Sequence, residues 1–378
     1  MIKVLFIAKT NINTDGRILN QINILKNNFK NLKIDFILFP DKEKTINLGE
    51  RVTFHIINTK IRNIKFLRPF TVIDFTLKAY KRIKKIKPEI IHAQDSAIVI
   101  PVLLYRIFSR KKFFLIYDDH ELPNENESVF NKFFYRIEKR LMKKSDAIIF
   151  ANEERQDYLR EKYILKNNLY HFLNLPYSNL EEDKNSMPDN YKELLQKIDT
   201  EINNGITFII HQGPMKVERG REKLAAFAKK LPEGNKLLLL GGSKEDFEKI
   251  KDEYKLNNNK FLFVGNIDYK YLTFFWKRGK ASVVMYLPTY INNRLCAPNR
   301  LYLSYFLQIP TIVNKDNIVL STFIQQNNCG LTIEDYHDNP KSFLQKLMNI
   351  EIEVKNTNSL LLNEEDKLTS VYKESKLF

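Results

Sequence analysis

The chain opens with a short apolar run, a polar turn and an amphipathic helix. Residues 3–8 (KVLFIA) are apolar over the length of one strand, as in a parallel sheet that is covered on both faces. A polar turn over 10–16 precedes a helical pattern over 17–26, and residues 36–39 and 52–57 are further short apolar runs. This alternation of strands and helices predicts a doubly wound α/β domain.

Polar clusters follow two later strands of this first domain. The apolar run 89–92 leads into His92-Ala93-Gln94-Asp95, and the run 113–117 leads into Asp118-Asp119-His120-Glu121. Ligands of open α/β sheets bind beyond the carboxyl ends of the strands, so both clusters are candidate site residues by position.

A second α/β alternation follows a change of composition. Residues 178–204 combine a charged segment with Asn203-Asn204-Gly205 and lack a strong apolar period in their first half, which predicts an interdomain linker. Strand patterns then recur at 207–211, 236–240, 261–264, 281–286 and 311–313, with helical patterns between them. We therefore predict an N-terminal domain over 1–177, a linker over 178–204, a C-terminal domain over 205–350 and a final helical segment over 351–378.

Length and composition fit this division. A chain of 378 residues with a 43% hydrophobic fraction is long enough for two domains of ordinary size. No run of about 18 apolar residues is present, and the first residues lack the cleavage site of a signal peptide. The two cysteines, Cys296 and Cys329, form neither a disulfide framework nor a metal-binding spacing, so we expect a cytoplasmic protein without a metal site.

The formal charge of +16 is concentrated in residues 60–87 and 132–144. It fits a solvated surface, a face for anionic lipid or a nucleic-acid surface. No nucleic-acid motif accompanies the charge, so we expect no nucleic-acid partner. Phe66 and Phe70 lie within the first segment and favour a peripheral contact with an anionic membrane, while a plain solvated surface stays open as the alternative.

The most informative stretch is 296–316, CAPNRLYLSYFLQIPTIVNKD. It consists of a polar loop, a helix that begins at Pro298-Asn299, two turns of apolar residues and a short β-branched strand. The first turn of such a helix presents unpaired N–H groups and the positive end of the helix dipole, which suit a phosphate. Arg300 adds donors for phosphate oxygens. The alternative is that Asn299 only caps a core helix.

This stretch resembles the "PNK-L-F-E-Y … G-x-P-V-I" signature of family 4 glycosyltransferases, which have the GT-B fold of two Rossmann-like domains that face each other across a cleft. The chain carries Pro298, Asn299, Arg300 and Leu301 at the matching positions. It departs from the family at Leu303 and Gln308, where the family has a glutamate and a glycine, and at Leu295, where the family has a partner glutamate. In the family the glutamate at the position of Leu303 usually contacts the ribose of the donor nucleotide.

Further motifs of the first domain resemble the same family. Asp118-Asp119-His120-Glu121 is similar to the family's "Y-D-x-H-E" element, which implies that His120 faces the donor sugar and leaving phosphate, with Glu121 beside it. Asp15 and Arg17 resemble a "D-x-R" element after the first strand, and a helix cap is an equal alternative for Asp15. With His92 and Asp95 they are the candidates on the acceptor side.

In the second domain the resemblance places Gly213 at a glycine of close approach and Arg219 at the basic position that contacts the donor diphosphate. Pro214 stands where the family often has an arginine. The implied reaction transfers a sugar, with retention, from a nucleotide-sugar donor to a saccharide or lipid-linked saccharide acceptor. It needs no metal and no cofactor beyond the donor, and a role in polysaccharide or lipopolysaccharide assembly fits the basic surface. The family's last helix returns to the N-terminal domain, and we expect the same for 351–378.

Two other functions stay open at this point. One is a nucleotide-sugar epimerase with the same fold. The other is a catalytically silent sugar-binding or partner subunit, for which Leu295 and Leu303 are the motivation.

Overall fold

The computed structural model describes the chain except residues 11, 13, 14, 40–46, 60–67, 123–128, 177–186, 337–338 and 354–356. Thr14, Phe66, the start of the first basic segment and the first part of the proposed linker lie outside the described residues. Contacts divide the chain into two compact units, residues 1–173 with 359–378 and residues 174–358.

The first unit is built on a parallel sheet of seven strands. These are β1 (Ile2–Ile7), β2 (Leu32–Leu38), β3 (Val52–Ile56), β4 (Ile90–Gln94), β5 (Phe114–Asp119), β6 (Ala147–Phe150) and β7 (Asn168–His171). Their order in the sheet is β3-β2-β1-β4-β5-β6-β7. The order reverses between β1 and β4, which is the point where ligands of doubly wound folds bind.

Five helices connect these strands: α1 (Gly16–Asn28), α2 (Arg68–Ile86), α3 (Val99–Phe108), α4 (Val129–Lys144) and α5 (Glu153–Tyr163). Helix α2 packs beside α3, and α3 packs beside α4. Strand β4 is buried along its whole length, β5 over all but its first residue and β1 over its last four residues, which explains the apolar runs in their sequences.

The second unit contains a parallel sheet of six strands: β8 (Thr207–Gln212), β9 (Asn235–Leu240), β10 (Phe261–Gly265), β11 (Gly279–Val283), β12 (Thr311–Val313) and β13 (Gly330–Thr332). The order β10-β9-β8-β11-β12-β13 repeats the topology of the first sheet. Ile209 belongs to the core on one face of this sheet, and its neighbours Phe208 and Ile210 belong to the core on the other face.

The remaining helices are α6 (Asp189–Asn203), α7 (Arg221–Lys229), α8 (Lys244–Glu253), α9 (Leu272–Trp276), α10 (Ile291–Arg294), α11 (Asn299–Phe306), α12 (Ile318–Gln326), α13 (Pro340–Met348) and α14 (Thr357–Lys373). Single turns of 3-10 helix lie at Ser96–Ile98, Val217–Arg219, Asn258–Lys260, Tyr269–Tyr271 and Ile333–Tyr336. Among the described residues, none of the helices combines the length and hydropathy needed to cross a bilayer.

The expectation of two Rossmann-like parallel-sheet domains is confirmed. The predicted linker is wrong over Asp189–Asn203, which forms α6. Leu195 and Ile198 of this helix are buried in the core of the second unit. The helix is amphipathic, and its charged exposed face makes the segment resemble a linker in the sequence. Residues 359–378, which hold most of α14, pack in the first unit. There Tyr372 is fully buried and its ring lies 6.4 Å from that of Phe29, the residue that follows α1.

Candidate functional site

A tight glycine turn follows β8 in the second unit. Gly213 has a φ of +105°, a conformation that favours glycine, and its N–H donates to Leu240 O at 2.6 Å. A Cβ built on Gly241 would lie 3.3 Å from the Gly213 backbone, so the ends of β8 and β9 approach each other too closely for side chains. The carboxyl ends of these two central strands are therefore joined by close backbone contact at half-buried glycines.

Two guanidinium groups converge on that turn. A Cβ built on Gly213 would overlap Nη1 of Arg219 and would lie 3.6 Å from Nη1 of Arg300. The same Tyr286 ring lies under both, with Cζ of Arg219 5.7 Å and Cζ of Arg300 5.1 Å from its centroid. Arg300 also donates to Gln212 O and to Met285 O, which fixes its guanidinium at the ends of β8 and β11.

The electrostatics of this cluster favour an anion. Within the described part of the chain, neither Arg219 nor Arg300 forms an ion pair with a carboxylate. Arg300 is only 5% exposed, and burial together with Arg219 lowers its pKa. His211, buried at the end of β8, has its pKa lowered to about 3 by burial, Arg300 and Arg219, so it adds no charge at neutral pH. Two neighbouring cations repel each other, and a bound diphosphate would relieve that repulsion.

The start of α11 differs in detail from the expectation. Asn299 does not cap the helix; Pro298 precedes it, and Asn299 Nδ2 donates to Asn174 O at 3.2 Å. The N–H of Leu301 donates to Pro298 O, so this amide is occupied within the turn, and the Leu301 side chain is 1% exposed. Leu301 is therefore a core residue, and the contribution of this helix start to an anion site lies at Arg300.

The two leucines at the family's glutamate positions lie in different environments. Leu303 is 4% exposed and belongs to the hydrophobic core of the second unit, with Phe208 and Phe275. Leu295 follows α10 and is half-buried. At position 303 the substitution therefore extends the apolar core.

A buried polar network lies at the switch point of the first sheet and is centred on Asp118. Arg17 Nη2 donates to Asp118 Oδ1 at 2.8 Å, and Gln21 Nε2 donates to Asp118 Oδ2 at 2.6 Å. His92 Nε2 lies 3.3 Å from Asp118 Oδ2, and His92 Nδ1 lies 2.7 Å from the hydroxyl of Tyr372 in α14. Arg17 and His92 are 4% and 0% exposed. Both lie in the interior of the first unit, and their assignment to the acceptor side stays a prediction.

His120 lies at the accessible edge of this network. Its side chain is 17% exposed, with Nδ1 3.7 Å from Asp95 Oδ1 and Nε2 3.4 Å from Asp118 Oδ2. Burial alone would lower the pKa of His120, but the two carboxylates outweigh burial and raise it to about 9. Glu121 is exposed at the next position. Of the predicted residues of the first unit, His120 and Asp95 are therefore brought together.

Asp15 acts as a helix cap. Its Oδ1 accepts from the N–H of Ile18 at 3.2 Å, and its Oδ2 accepts from Thr10 Oγ1 at 2.6 Å. Capping therefore accounts for Oδ1, and the hydroxyl of Thr10 occupies Oδ2.

Sequence reasoning missed several residues of both clusters. Asp118 belongs to the polar cluster that the sequence makes a candidate by position only, and in the structure it lies within β5. Gln21, Tyr286 and Tyr372 carry no local signal, because each reaches its cluster only through the packing of a distant element. Asp119 and Glu138 form a buried acidic pair behind His120, where Tyr117 donates to Glu138.

A cavity of about 430 Å³ lies beside the glycine turn of the second unit. Gly213, Gly241 and Gly242 line one side, and Phe247 and Phe263 are among its apolar lining residues. Such a mixed lining suits a small organic ligand. In the described ranges no group of three or more His, Cys, Asp or Glu is arranged to hold a metal ion.

Two parallel α/β sheets in this strand order define a GT-B glycosyltransferase fold. Residues 33–172 match the family model "Glycosyltransferase Family 4". This match lies within the N-terminal unit and confirms the resemblance found in the sequence. A comparison with curated proteins found no match.

Solved structures share the fold over the whole chain. A sucrose-phosphate synthase from Thermosynechococcus elongatus is 15% identical, with 99% of this chain and 96% of that chain covered and a TM-score of 0.66. Alr3699/HepE from Anabaena in complex with UDP-glucose is 12% identical, with coverage of 100% and 98% and a TM-score of 0.64. A UDP-GlcNAc 2-epimerase from Methanocaldococcus jannaschii is 11% identical, with coverage of 100% and 99% and a TM-score of 0.62.

Proposed function

We propose that this protein is a retaining glycosyltransferase that moves a sugar from a nucleotide-sugar donor to an acceptor hydroxyl. The observation that carries the proposal is the convergence of Arg219 and Arg300 on Gly213, at the carboxyl end of β8. Departure of a nucleoside diphosphate leaves negative charge on its terminal phosphate, and preorganised guanidinium groups stabilise that charge in the transition state.

The proposed donor is a uridine diphosphate sugar. Alr3699/HepE, which shares the fold, has been solved with UDP and with UDP-glucose. In this proposal the cavity beside Gly213 takes part of the nucleotide, and Arg219 and Arg300 bind its diphosphate. His120 and Glu121 serve the sugar-transfer step from the first unit, and Asp95 serves the acceptor side. The charge that a metal ion would supply comes from the two arginines.

The first experiment is a thermal-shift screen of the full chain with UDP-, GDP-, CMP- and ADP-sugars. A ligand that binds only the folded chain must raise the melting temperature. The nucleotide sugar that does so is then offered with saccharide and lipid-linked saccharide acceptors, and release of free nucleotide is followed. We expect Arg219→Ala to lose turnover by about two or more orders of magnitude. Lys230→Ala, an exposed cation of the same unit, is the control and should keep activity.

The reaction product distinguishes the transferase from the epimerase. The epimerase stays the alternative because a UDP-GlcNAc 2-epimerase shares the fold. A transferase releases nucleotide only when an acceptor is present. Isomerisation of the donor sugar without an acceptor would instead establish the epimerase. A silent subunit would bind no nucleotide sugar productively, and Arg219→Ala would then leave cellular polysaccharide unchanged.

We further propose that the enzyme works on a lipid-linked acceptor at an anionic membrane surface on the cytoplasmic side, in polysaccharide or lipopolysaccharide assembly. One stripe of α2 supports this surface. Phe70, Ile73 and Leu77 are 58%, 55% and 54% exposed, and the stripe continues in the exposed Lys81 and Lys84. Apolar residues beside cations are the pattern of interfacial helices.

An open groove beside this stripe adds positive charge. It measures about 490 Å³ and is lined by Ile56, Ile57, Asn58, Lys78, Lys81, Arg82 and Lys85. Lipid phosphates would be attracted to its four cationic side chains.

The membrane proposal is tested by sedimentation with vesicles. Binding should occur with phosphatidylglycerol-containing vesicles, fall with added salt and weaken in a Phe70→Ser/Leu77→Ser variant. Ile318→Ser changes a residue of the second unit with 56% exposure and should not alter binding. Equal binding to neutral and anionic vesicles would contradict the proposal.

A further inference from the structure

The ring of His120 lies between two carboxylates. Its Nδ1 is 3.7 Å from Asp95 Oδ1 and its Nε2 is 3.4 Å from Asp118 Oδ2. The second contact has ion-pair distance without the alignment of a hydrogen bond. A neutral imidazole has one N–H donor and one acceptor nitrogen, so it would turn a lone pair toward one carboxylate. An imidazolium is attracted to both carboxylates at these distances.

Asp118 is held in place as an ionised group. Arg17 donates to its Oδ1, while Gln21 and His92 face its Oδ2. Arg17 and His120 hold the pKa of Asp118 well below its usual range although burial acts in the opposite direction. His92 is fully buried, and burial lowers its pKa, so it is neutral and bridges Asp118 to the hydroxyl of Tyr372 in α14. The carboxylate beside His120 therefore has a fixed orientation and a fixed charge.

Asp95 is placed by a strained backbone. Its φ of 66° and ψ of 163° are unusual for a residue with a side chain, and its N–H donates to Asp118 O at 3.2 Å. Backbone conformations of this kind cluster at functional sites, where the surrounding structure maintains them. Here the strained turn sets Asp95 Oδ1 on the side of His120 that faces away from Asp118.

Burial raises the pKa of Asp95, with smaller contributions from Glu121, Asp118 and Asp15, whereas the neighbouring His120 lowers it. Other charged groups also lie around His120. They are Arg17 from α1, His92 from β4, Asp119 from β5, Arg155 from α5, and Asp15 and Glu121 beside Asp95. Arg17 is already paired with Asp118. Burial and Glu138 raise the pKa of Asp119 well above its usual range, which favours its neutral form. Arg155 donates to the backbone oxygen of His120.

We propose that Asp95 and Asp118 hold His120 as an imidazolium at neutral pH, and that Asp118 is a positioning residue whose own orientation depends on Arg17, Gln21, His92 and Tyr372. The catalytic consequence of this charge rests on the proposed function. In that reaction His120 acts as a cation and proton donor toward the departing phosphate, not as a general base. The same network makes Tyr372 of the final helix part of the support of His120.

The charge of His120 is measured directly by NMR titration of the full chain with 13C-labelled histidine side chains, without donor or acceptor. The His120 signal is assigned by its loss in His120→Gln. We expect the native signal to stay in its protonated position at pH 7.5 and to titrate near pH 9. A midpoint near 6.5, the ordinary value, would overturn the proposal.

Variants locate the cause. Asp95→Asn changes a side chain that is 33% exposed and should lower the His120 midpoint by about 1 pH unit or more. Asp157→Asn, on the exposed side of α5, is the matched control and should leave the midpoint unchanged. Asp118→Asn should lower the His120 midpoint further. This variant also leaves Arg17 buried without its partner and so can fail to fold. In that case the result for Asp95→Asn decides whether the carboxylates hold the charge of His120. An unchanged midpoint in Asp95→Asn would refute the role of Asp95.

Tyr372→Phe removes only the hydroxyl that faces His92. We expect a smaller shift of the His120 midpoint in the same direction, and no shift would remove Tyr372 from the network. These measurements separate the two proposals. An imidazolium in a protein without transferase activity would contradict the proposed function alone, and a neutral His120 in an active transferase would contradict this inference alone.

Discussion

The role of Gly213 can be tested by adding a single methyl group. In Gly213→Ala the new Cβ would overlap Nη1 of Arg219, and the backbone would keep a φ of +105°. Gly205→Ala is a matched control, because Gly205 has a φ of +85° and nothing lies within 4 Å of its Cβ position. Both variants introduce the same type of backbone strain in the same unit, and only the first disturbs Arg219.

The expected magnitudes follow from this difference. A non-glycine residue in such a backbone conformation costs about 1–3 kcal/mol, so we expect both variants to lose a similar part of the free energy of unfolding. The overlapping atom is the far end of a flexible side chain, so Arg219 moves away at little further cost in stability. A charge-assisted hydrogen bond to phosphate contributes about 1.5–3 kcal/mol, and its loss would weaken donor binding about 10- to 150-fold.

Urea unfolding measures the stability of both variants, and isothermal titration calorimetry with UDP and UDP-glucose measures binding. Gly213→Ala should bind far more weakly than Gly205→Ala at comparable stability. In an Arg219→Ala background the Gly213→Ala change should cause little additional loss of affinity, since the contact is already absent. Equal affinity of the two glycine variants would refute the assignment of the diphosphate to this turn.

Three further predictions concern the packing and charges of the two units. Gly330→Ala would place a Cβ onto Thr311 O in the adjacent strand β12. The free energy of unfolding, measured with urea, should therefore fall by about 1–3 kcal/mol. An unchanged value would contradict the close approach of β12 and β13. Tyr117→Phe removes the donor to buried Glu138 and should cost about 1–3 kcal/mol by the same measurement, whereas Tyr80→Phe in α2 should change stability by less than about 0.5 kcal/mol. The pH dependence of stability should have two limbs. His211, with a folded pKa of about 3, stays neutral while the unfolded chain takes up a proton, so stability falls as the pH drops from about 6.5 toward 3, by up to about 1.4 kcal/mol per pH unit, and His211→Gln should reduce this slope. His120, with a folded pKa of about 9, contributes stability that is complete below about pH 6.5 and is lost as the pH rises toward 9, and Asp95→Asn should flatten this alkaline limb.

Local patterns along the chain were sufficient to predict most strands and helices and the α/β class of the fold. The apolar runs at β1, β5, β8 and β9 are buried on both faces in parallel sheets, and that environment is what makes them continuous in sequence. The helix start at Asn299 was also predictable, because Pro298 and the apolar residues after Arg300 are local signals.

The errors lie where burial depends on distant elements. The sequence predicts a linker at α6, because the charged face of this helix dominates the sequence and its two buried residues meet a core only in the second unit. The sequence pattern predicts His92 at the end of a strand, where it would be a candidate for substrate contact. In the structure β4 is a central strand, and α14 covers the ring with Tyr372.

The sequence by itself determined two doubly wound α/β units, a cationic chain and a family resemblance that the comparison confirmed. The tertiary structure alone decided which charged side chains meet. Arg219 and Arg300 share one glycine turn because β8, β11 and α11 pack together, and Asp118 joins Arg17 to His92 because α1 and β4 close on β5. Contacts between such distant side chains depend on long-range packing and on the exclusion of water around charges. Neither property has a local pattern in the sequence.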